Sequence, residues 1–187
     1  MNTELLDKIE TLAGSLRAKT FRAAAEFILE NKCRNIFETG CYRGNLEDGQ
    51  STLIFALLAK ELKWNFNSYD SCAGHCDAAK LLLNQNELPG FVWCADSVLA
   101  LGSLLSGGVD FIYLDSYDYT ESDPGPCQRH ELAEIGAVLG KMATPSAILL
   151  DDCIPETKGK TLLGAQFLKE RGWKLVAEGY QLLFTNP

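Results

Sequence analysis

One stretch of the sequence, NIFETGCYRG at positions 35–44, constrains the fold more than any other. Its first five residues are typical of a short buried strand, and Gly40 ends that strand. A polar turn continues to about Gln50, and the apolar-rich residues 51–62 then predict a helix. Glycine lets backbone approach a ligand closely because it has no Cβ atom, and the helix N-terminus offers free N–H groups. The stretch therefore predicts the first strand–turn–helix unit of a nucleotide-binding α/β sheet.

The rest of the chain alternates strand-like and helix-like segments. Further strands are predicted at residues 66–70, 91–94, 109–115, 147–152, 173–178 and 181–185. Helices are predicted between most of them, at residues 77–86, 97–105, 128–142 and 161–171. Gly179-Tyr180 predicts a hairpin turn between the last two strands. The alternation predicts an α/β, Rossmann-like, doubly wound fold, whose mostly parallel seven-stranded sheet ends in a C-terminal antiparallel hairpin strand.

The N-terminal segment has helical rather than strand-like spacing. Apolar residues recur at helical intervals over 4–16, and residues 21–31 continue as a second helix. The 187 residues are enough for one domain with a full core, and no linker, repeat or low-complexity segment divides them. We therefore expect a single domain over 1–187, in which the helices of 1–31 lie against the sheet or over its ligand edge and 34–185 form the core.

Charge and cysteine content restrict the class of partner. A net charge of −8 disfavours a nucleic-acid partner, because phosphate binding needs clustered Lys and Arg. The N-terminus MNTELLDKIE lacks the features of a secretory signal, and no run approaches the roughly 18 apolar residues needed to cross a bilayer. Seven cysteines, an odd number, are typical of free buried thiols in a reducing cytoplasm. We expect a cytoplasmic protein that binds neither nucleic acid nor membrane; the sequence leaves a homo-oligomer open.

Acidic residues recur where the predicted strands end, which is the edge at which such sheets bind ligands. Asp70 ends the second strand, and its carboxylate can accept two hydrogen bonds from a ribose diol; the alternative is an ordinary surface-turn acid. Asp96 follows the third strand. It can accept from an adenine amino group, or cap the helix that begins near Ser97.

Three more acids, Asp115, Asp151 and Asp152, follow the fourth and fifth strands. These strands are usually adjacent, so their ends should bring the three carboxylates together. Hard oxygen ligands suit Mg²⁺, Mn²⁺ or Ca²⁺, and like charges this close are costly without a cation. The pattern predicts a divalent-metal site; the alternative is solvated loop acids, one of which orients the ligand.

The order of these motifs resembles that of class I S-adenosylmethionine-dependent methyltransferases. The segments that carry the resemblance are ETGCYRG, SYD, CADS, VDFIYLDS and AILLDDC, followed by the hairpin, over roughly residues 34–185. In that family the first turn holds the methionine end of the cofactor, the second acid holds ribose, and the third acid lies by adenine. These roles would fall on Glu38, Gly40 and Gly44, on Asp70, and on Asp96 with Ser97. The candidate cofactor-binding set also includes Thr39, Ser71 and Asp115.

Within that class, the ETGxxRG form and the paired acids of LLDD are similar to the macrocin and catechol-type O-methyltransferases. The resemblance implies methyl transfer to a hydroxyl oxygen of a small-molecule acceptor, with Asp115, Asp151 and Asp152 binding Mg²⁺. The candidate catalytic residues are Asp115 and His130. His130 lies at the start of the helix that follows the loop of residues 117–126, which contains three acids. It is a candidate general base; the alternative is an ordinary histidine on the surface of a helix.

The sequence departs from the family pattern in two places. Tyr42 stands where a glycine is expected, and the turn carries extra residues at 46–48. A nicotinamide-dependent oxidoreductase is an alternative function, but it needs a tighter G-x-G-x-x-G turn than Gly40 and Gly44 provide. A non-catalytic cofactor-binding protein of the same fold is another.

Two further patterns have weaker interpretations. Gly159-Lys160-Thr161 resembles the end of a phosphate loop, but its spacing predicts the start of a helix instead. Lys158 and Lys160 are then either a solvated pair or a site for an anionic acceptor. Cys72, His75, Cys76 and Cys94 do not have the standard spacing of zinc ligands.

Overall fold

The computed structural model describes residues 2–45, 50–154 and 156–186, so the extra turn residues at 46–48 lie outside the described part. Its strands are β1 (Ile36–Thr39), β2 (Phe66–Asp70), β3 (Phe91–Cys94), β4 (Val109–Leu114), β5 (Met142–Leu150), β6 (Lys174–Glu178) and β7 (Leu182–Thr185). They form one sheet in the order β3-β2-β1-β4-β5-β7-β6. The first five strands are parallel, and β7 runs antiparallel to both β5 and β6. The predicted α/β sheet with a C-terminal hairpin is confirmed.

Helices cover both faces of the sheet, as parallel strands require. They are α1 (Thr3–Glu30), α2 (Gln50–Leu62), α3 (Ala73–Gln85), α4 (Ser97–Gly102), α5 (Gly125–Leu139) and α6 (Leu162–Glu170), with a 3₁₀ turn at Gly159–Thr161. The two predicted N-terminal helices form the single element α1, interrupted at Gly14, whose φ of 68° and ψ of 167° are not helical. No helix in the described ranges combines the length and apolar character needed to cross a bilayer.

The core has two halves because neighbouring residues of a strand point to opposite faces. On β4, Phe111 belongs to the half covered by α1, α2 and α3, whereas Ile112 belongs to the half covered by α4, α5 and α6. Phe55 of α2 is at the centre of the first half, with its ring centroid 5.7 Å from that of Phe21 and 5.5 Å from that of Tyr113. Such aromatic pairs add about 0.5–1.5 kcal/mol each beyond the area they bury. This packing fixes α1 over the sheet and brings its middle turns to the carboxyl edge.

The fifth strand begins earlier than predicted. The sequence predicted a helix to residue 142 and a strand from 147, but α5 ends at Leu139 and β5 begins at Met142. Gly140 caps the helix, and Met142 pairs with Val109 before the register shifts and Ala147 pairs with Phe111. The residues between Met142 and Ala147 are Ala, Thr, Pro and Ser, of which two are exposed, so they lack the apolar run by which a buried strand is recognised.

Candidate active site

Gly40 brings the turn after β1 directly against the end of β4. Its φ is +78°, and a Cβ atom at this position would overlap the backbone carbonyl of Asp115. Its N–H donates to the carbonyl of Tyr69 at 2.9 Å. The glycine is therefore needed for contact between two strand ends, and this contact brings the turn and the acidic end of β4 to one edge of the sheet.

Glu38 lies beneath this turn and is fully buried. Its carboxylate accepts from the hydroxyls of Ser51 at 2.5 Å, Thr52 at 2.8 Å and Ser68 at 2.7 Å. Burial raises the pKa of Glu38 to about 7, against the opposing effect of the three hydroxyls. Glu38 does not line the cavity described below, so the structure gives it a supporting position rather than the expected contact with the methionine end of a cofactor.

The remaining candidates of the first turn differ in accessibility. Thr39 is buried, and its hydroxyl has no hydrogen-bond partner among the described residues. Gly44 is exposed, with a φ of +93°. Tyr42, which replaces the expected glycine, donates its N–H to the Thr52 hydroxyl at 2.9 Å, so this departure from the motif is accommodated by α2.

Asp70 joins the turns that follow β1 and β2. Its Oδ2 accepts from the N–H of Cys41 at 3.2 Å and its Oδ1 from the N–H of Cys72 at 2.7 Å. His75 Nδ1 lies 3.3 Å from the same Oδ2. The side chain is 9% exposed, and Oδ1, which has one backbone donor, keeps a lone pair that a ribose hydroxyl can use. Ser71 follows it and is exposed at the surface. Asp70 is thus a fixed acceptor beside the glycine turn.

The two residues expected at adenine have different environments. Asp96 is exposed and caps α4, accepting from the N–H of Leu99 at 2.9 Å, so the capping interpretation is confirmed. Ser97 is buried, and its hydroxyl lies 3.2 Å from Nε2 of His130. The start of α4 is therefore linked to α5 through this pair.

His130 lies beside Ser97, at the start of α4, and does not line the cavity described next. Its Nε2 is 3.6 Å from a carboxylate oxygen of Glu134, and its ring centroid is 5.4 Å from that of Tyr117. The nearby carboxylate of Glu134 raises the pKa of His130 above its ordinary value of 6.5, against the opposing effect of burial. The position disfavours the expected role of His130 as general base for the acceptor.

A cavity of about 270 Å³ opens at the carboxyl edge between α1 and the turns after β1 and β4. The helix α1 contributes Leu12, Ala13, Gly14, Arg17 and Phe21 to its wall. The other side is formed by Gly40, Cys41, Arg43, Gln50, Ser51, Tyr113, Asp115, Asp118 and Asp152. Arg43 Nη2 and Asp118 Oδ1 form an ion pair at 2.7 Å that joins the two turns. Both α1 and the loop after β4 therefore shape this cavity.

The three acids after β4 and β5 converge beside this cavity. One carboxylate oxygen from each of Asp115, Asp151 and Asp152 lies within 4.8 Å of the others, as the sequence predicted. We call these residues the acidic triad. In the part of the chain that the structure describes, no other group of three potential metal ligands comes together, so the cysteines at 72, 76 and 94 form no such site with His75.

Two cations of the protein itself hold the acidic triad, and the sequence did not reveal either. Arg17 of α1 donates from Nε and Nη2 to the two oxygens of Asp151, at 3.1 and 2.8 Å. Burial alone would lower the pKa of Arg17, but Asp151 raises it. Arg17 in turn lowers the pKa of the buried carboxyl of Asp151. Lys160 Nζ lies 2.7 Å from Asp115 and 3.3 Å from Asp152.

The expectation of a solvated lysine pair is therefore wrong for one member. Lys158 is an exposed residue, whereas Lys160 is 1% exposed. The phosphate-loop alternative also fails, since Gly159–Thr161 form a 3₁₀ turn that points the lysine inward at the acidic triad.

The donor set of the acidic triad is suited to a divalent ion, but the surroundings are not. Each of the six carboxylate oxygens faces a donor of the protein. Besides the Arg17 and Lys160 contacts, the Tyr113 hydroxyl lies 3.3 Å from Asp115 Oδ2 and the Tyr180 hydroxyl 2.8 Å from Asp152 Oδ1. The ammonium group of Lys160 is between two carboxylates, where a bridging ion would bind. The residues present therefore do not fit a metal ion.

No family model matches the sequence, and no curated protein is similar to it. Solved structures do match. The methyltransferase PaMTH1 of Podospora anserina, bound to S-adenosylhomocysteine (SAH), has a TM-score of 0.63 at 14% identity, over 97% of this chain and 86% of that one. The fold is that of a methyltransferase. A methyltransferase from Geobacter sulfurreducens matches with a TM-score of 0.64 at 11% identity, over 97% of this chain and 88% of its own.

An O-methyltransferase from Bacillus cereus, also in complex with SAH, has a TM-score of 0.58 at 15% identity, over 98% of this chain and 91% of that one. These likenesses extend over nearly the whole chain and include the N-terminal helix as well as the sheet. At such low identities they establish the methyltransferase fold and no individual contact.

Proposed function

We propose that the protein transfers a methyl group from S-adenosylmethionine to a hydroxyl oxygen of a small molecule. The observation that carries the proposal is the placement of Asp70 beside the Gly40 turn, at the carboxyl edge of a sheet with methyltransferase topology. Two solved proteins of that fold hold SAH, the product that S-adenosylmethionine becomes on losing its methyl group.

In this proposal the cofactor lies along the edge formed by β1, β2 and β3. Asp70 accepts from a ribose hydroxyl through Oδ1, which has one backbone donor, while Oδ2 faces the Cys41 N–H and His75. Ser97 lies at the adenine end, held by His130, while Asp96 caps the same helix. The methionine end lies over Gly40, near the N-terminal end of α2, where Ser51 lines the cavity.

The reaction is a displacement in which the acceptor oxygen attacks the methyl carbon. A carbon–oxygen bond forms, the carbon–sulfur bond breaks, SAH leaves, and the acceptor hydroxyl loses its proton. Holding two reactants in line supplies much of the acceleration in such a reaction. Asp115 lines the cavity, and we assign its carboxylate the role of orienting the acceptor hydroxyl and receiving its proton. No step is assigned to a metal ion, because the acidic triad does not fit one.

The cavity supports a small acceptor rather than a macromolecule. Its volume of about 270 Å³ lies at the lower limit of ordinary small-molecule pockets. The net charge of −8 disfavours a nucleic-acid acceptor. We also propose that the protein acts in the cytoplasm, since all seven cysteines are free and five of them are buried.

The alternative functions are less well supported. A nicotinamide-dependent oxidoreductase needs a closer glycine turn, yet the position of the middle glycine is occupied by Tyr42, whose backbone bonds to Thr52. A non-catalytic cofactor-binding protein would share the edge but has no need for an open cavity beside it.

The test is a methyl-transfer screen with labelled S-adenosylmethionine and a library of hydroxyl-bearing small molecules. We expect labelled product from at least one acceptor, and loss of that product in Asp115→Asn. The matched control is Asp123→Asn, an exposed acid of the same loop, which should transfer at the wild-type rate. Absence of transfer to every acceptor would contradict the catalytic proposal, and full activity of Asp115→Asn would remove Asp115 from it.

A further inference from the structure

Lys160 is buried in a way that needs a specific reason. Lysine is almost never fully buried unless it is paired, yet this side chain is 1% exposed. Its ammonium donates to Asp115 at 2.7 Å and to the carbonyl of Tyr117 at 3.2 Å, and it forms an ion pair with Asp152 at 3.3 Å. The ammonium therefore lies between two carboxylates and is held by a carbonyl as well.

The backbone before Lys160 is built to bring it there. Lys158 has a φ of 62° and Gly159 a φ of 50°, both in the left-handed region. A Cβ atom on Gly159 would overlap the carbonyl of Asp152, and the same carbonyl accepts from the N–H of Lys160 at 3.1 Å. The turn is thus packed directly on a member of the acidic triad.

Arg17 completes the arrangement from the opposite side. Its guanidinium makes a two-pronged contact with Asp151, whose side chain is fully buried, and its carbon Cζ lies 4.6 Å from the centroid of the Tyr180 ring. The Tyr180 hydroxyl bonds in turn to Asp152 at 2.8 Å. Arginine suits this position because its planar fork matches a carboxylate.

The charges agree with this geometry. Arg17 and Lys160 together supply two positive charges beside the acidic triad, the same number that a single Mg²⁺ would bring. We propose that these two side chains replace a divalent ion at the acidic triad, so that the protein keeps the three carboxylates together without taking up a metal. Lys160 is then a positioning residue, which acts through Asp115 and Asp152.

Whether the acidic triad binds a metal ion does not depend on which reaction the protein catalyses. Its consequence for catalysis, that methyl transfer is insensitive to EDTA and to added Mg²⁺, rests on the proposed function. The two claims need separate measurements, so that one can fail without the other.

The experiment measures Mn²⁺ binding by electron paramagnetic resonance and by calorimetry, on the full chain without cofactor. We expect the wild type to bind no Mn²⁺ more tightly than about 1 mM, the weak end of protein cation sites. Lys160→Met removes the ammonium from between two carboxylates and should gain one Mn²⁺ per chain, at least about tenfold tighter than in the wild type, which corresponds to about 1.4 kcal/mol. The matched control is Lys158→Met, which changes an exposed lysine of the same turn and should bind no better than the wild type.

Two results would overturn the proposal. One is a wild-type protein that binds a single Mn²⁺ with a Kd below 1 mM, together with an Asp152→Asn variant that no longer binds it. This result does not require any lysine variant to fold. The other is a Lys160→Met protein with a wild-type circular dichroism spectrum and no gain in Mn²⁺ binding. Methyl transfer measured in parallel with and without EDTA tests the proposed function separately, since its absence leaves the Mn²⁺ result unaffected.

Discussion

Replacing Glu38 by glutamine should make the stability of the protein less dependent on pH. The folded protein holds this carboxyl at a pKa of about 7, against an ordinary value of 4.5, so the folded state binds its proton more tightly than the unfolded state does. The free energy of unfolding of the wild type therefore falls as pH rises from 4.5 to about 7. A glutamine cannot ionise and has no such dependence.

The magnitude follows from the size of the shift. A rise of roughly two to three pKa units corresponds to about 3 kcal/mol between the two protonation states. Relative to wild type, Glu38→Gln should gain up to about 3 kcal/mol in free energy of unfolding between pH 4.5 and pH 8. Its amide can still bond to the hydroxyls of Ser51, Thr52 and Ser68, so little change is expected at the acid end.

The assay is urea denaturation of both proteins at half-unit steps from pH 4.5 to 8. The matched control is Glu121→Gln, which changes an exposed loop acid and should follow the wild-type curve at every pH. A difference between Glu38→Gln and wild type that stays constant across the range would refute the reasoning, because it would mean that Glu38 titrates alike in the folded and unfolded protein.

Three other substitutions test separate parts of the site. Asp70→Ala should weaken SAH binding in calorimetry by about 1–3 kcal/mol, the cost of unpaired buried polar groups, and an unchanged Kd would remove Asp70 from the cofactor site. The NMR titration midpoint of His130 should lie above 6.5 and fall in Glu134→Gln; equal midpoints would exclude the Glu134 carboxylate as the cause. Gly40→Ala should destabilise the protein by more than the roughly 1–2 kcal/mol of left-handed backbone, and by more than Gly44→Ala, where an added Cβ would only make ordinary contact with Ala78; equal losses in denaturation would contradict the overlap at Gly40.

The sequence was sufficient for most of the sheet. The buried strand β4 is a short, mostly apolar run bounded by turns and was predicted to within one residue, and β2 and β3 have the predicted bounds. The pattern failed at the start of β5, because residues 143–146 contain no apolar run and the strand begins where Met142 pairs with Val109. Pairing between segments so far apart leaves no periodic signal in either one.

The candidate site was predictable only where topology alone decides it. Convergence of the acidic triad follows from the adjacency of β4 and β5, and the structure confirms it. The cations could not be inferred, since Arg17 lies 134 residues from Asp151 and Lys160 lies 45 residues from Asp115. The sequence did contain one indication of the turn that buries Lys160. The residue before it, Gly159, is a glycine, which readily adopts a left-handed backbone.

The role of Glu38 was also hidden. An acid beside a glycine turn suggests a contact with a ligand. In the structure the Glu38 carboxylate instead accepts hydrogen bonds from three hydroxyls, which come from α2 and β2. The adjacent Ser51 and Thr52 at the start of α2 are the local hint, because hydroxyls at a helix start often serve nearby polar groups. The supporting role of Glu38 became visible only when these elements were placed together.

Calorimetric titration of the protein with SAH and, separately, with NAD tests the central claim most directly. The edge formed by Gly40, Asp70 and Ser97 predicts one SAH bound per chain and no measurable binding of NAD. Tight binding of NAD without any binding of SAH or S-adenosylmethionine would contradict the claim that this edge is a methyltransferase cofactor site.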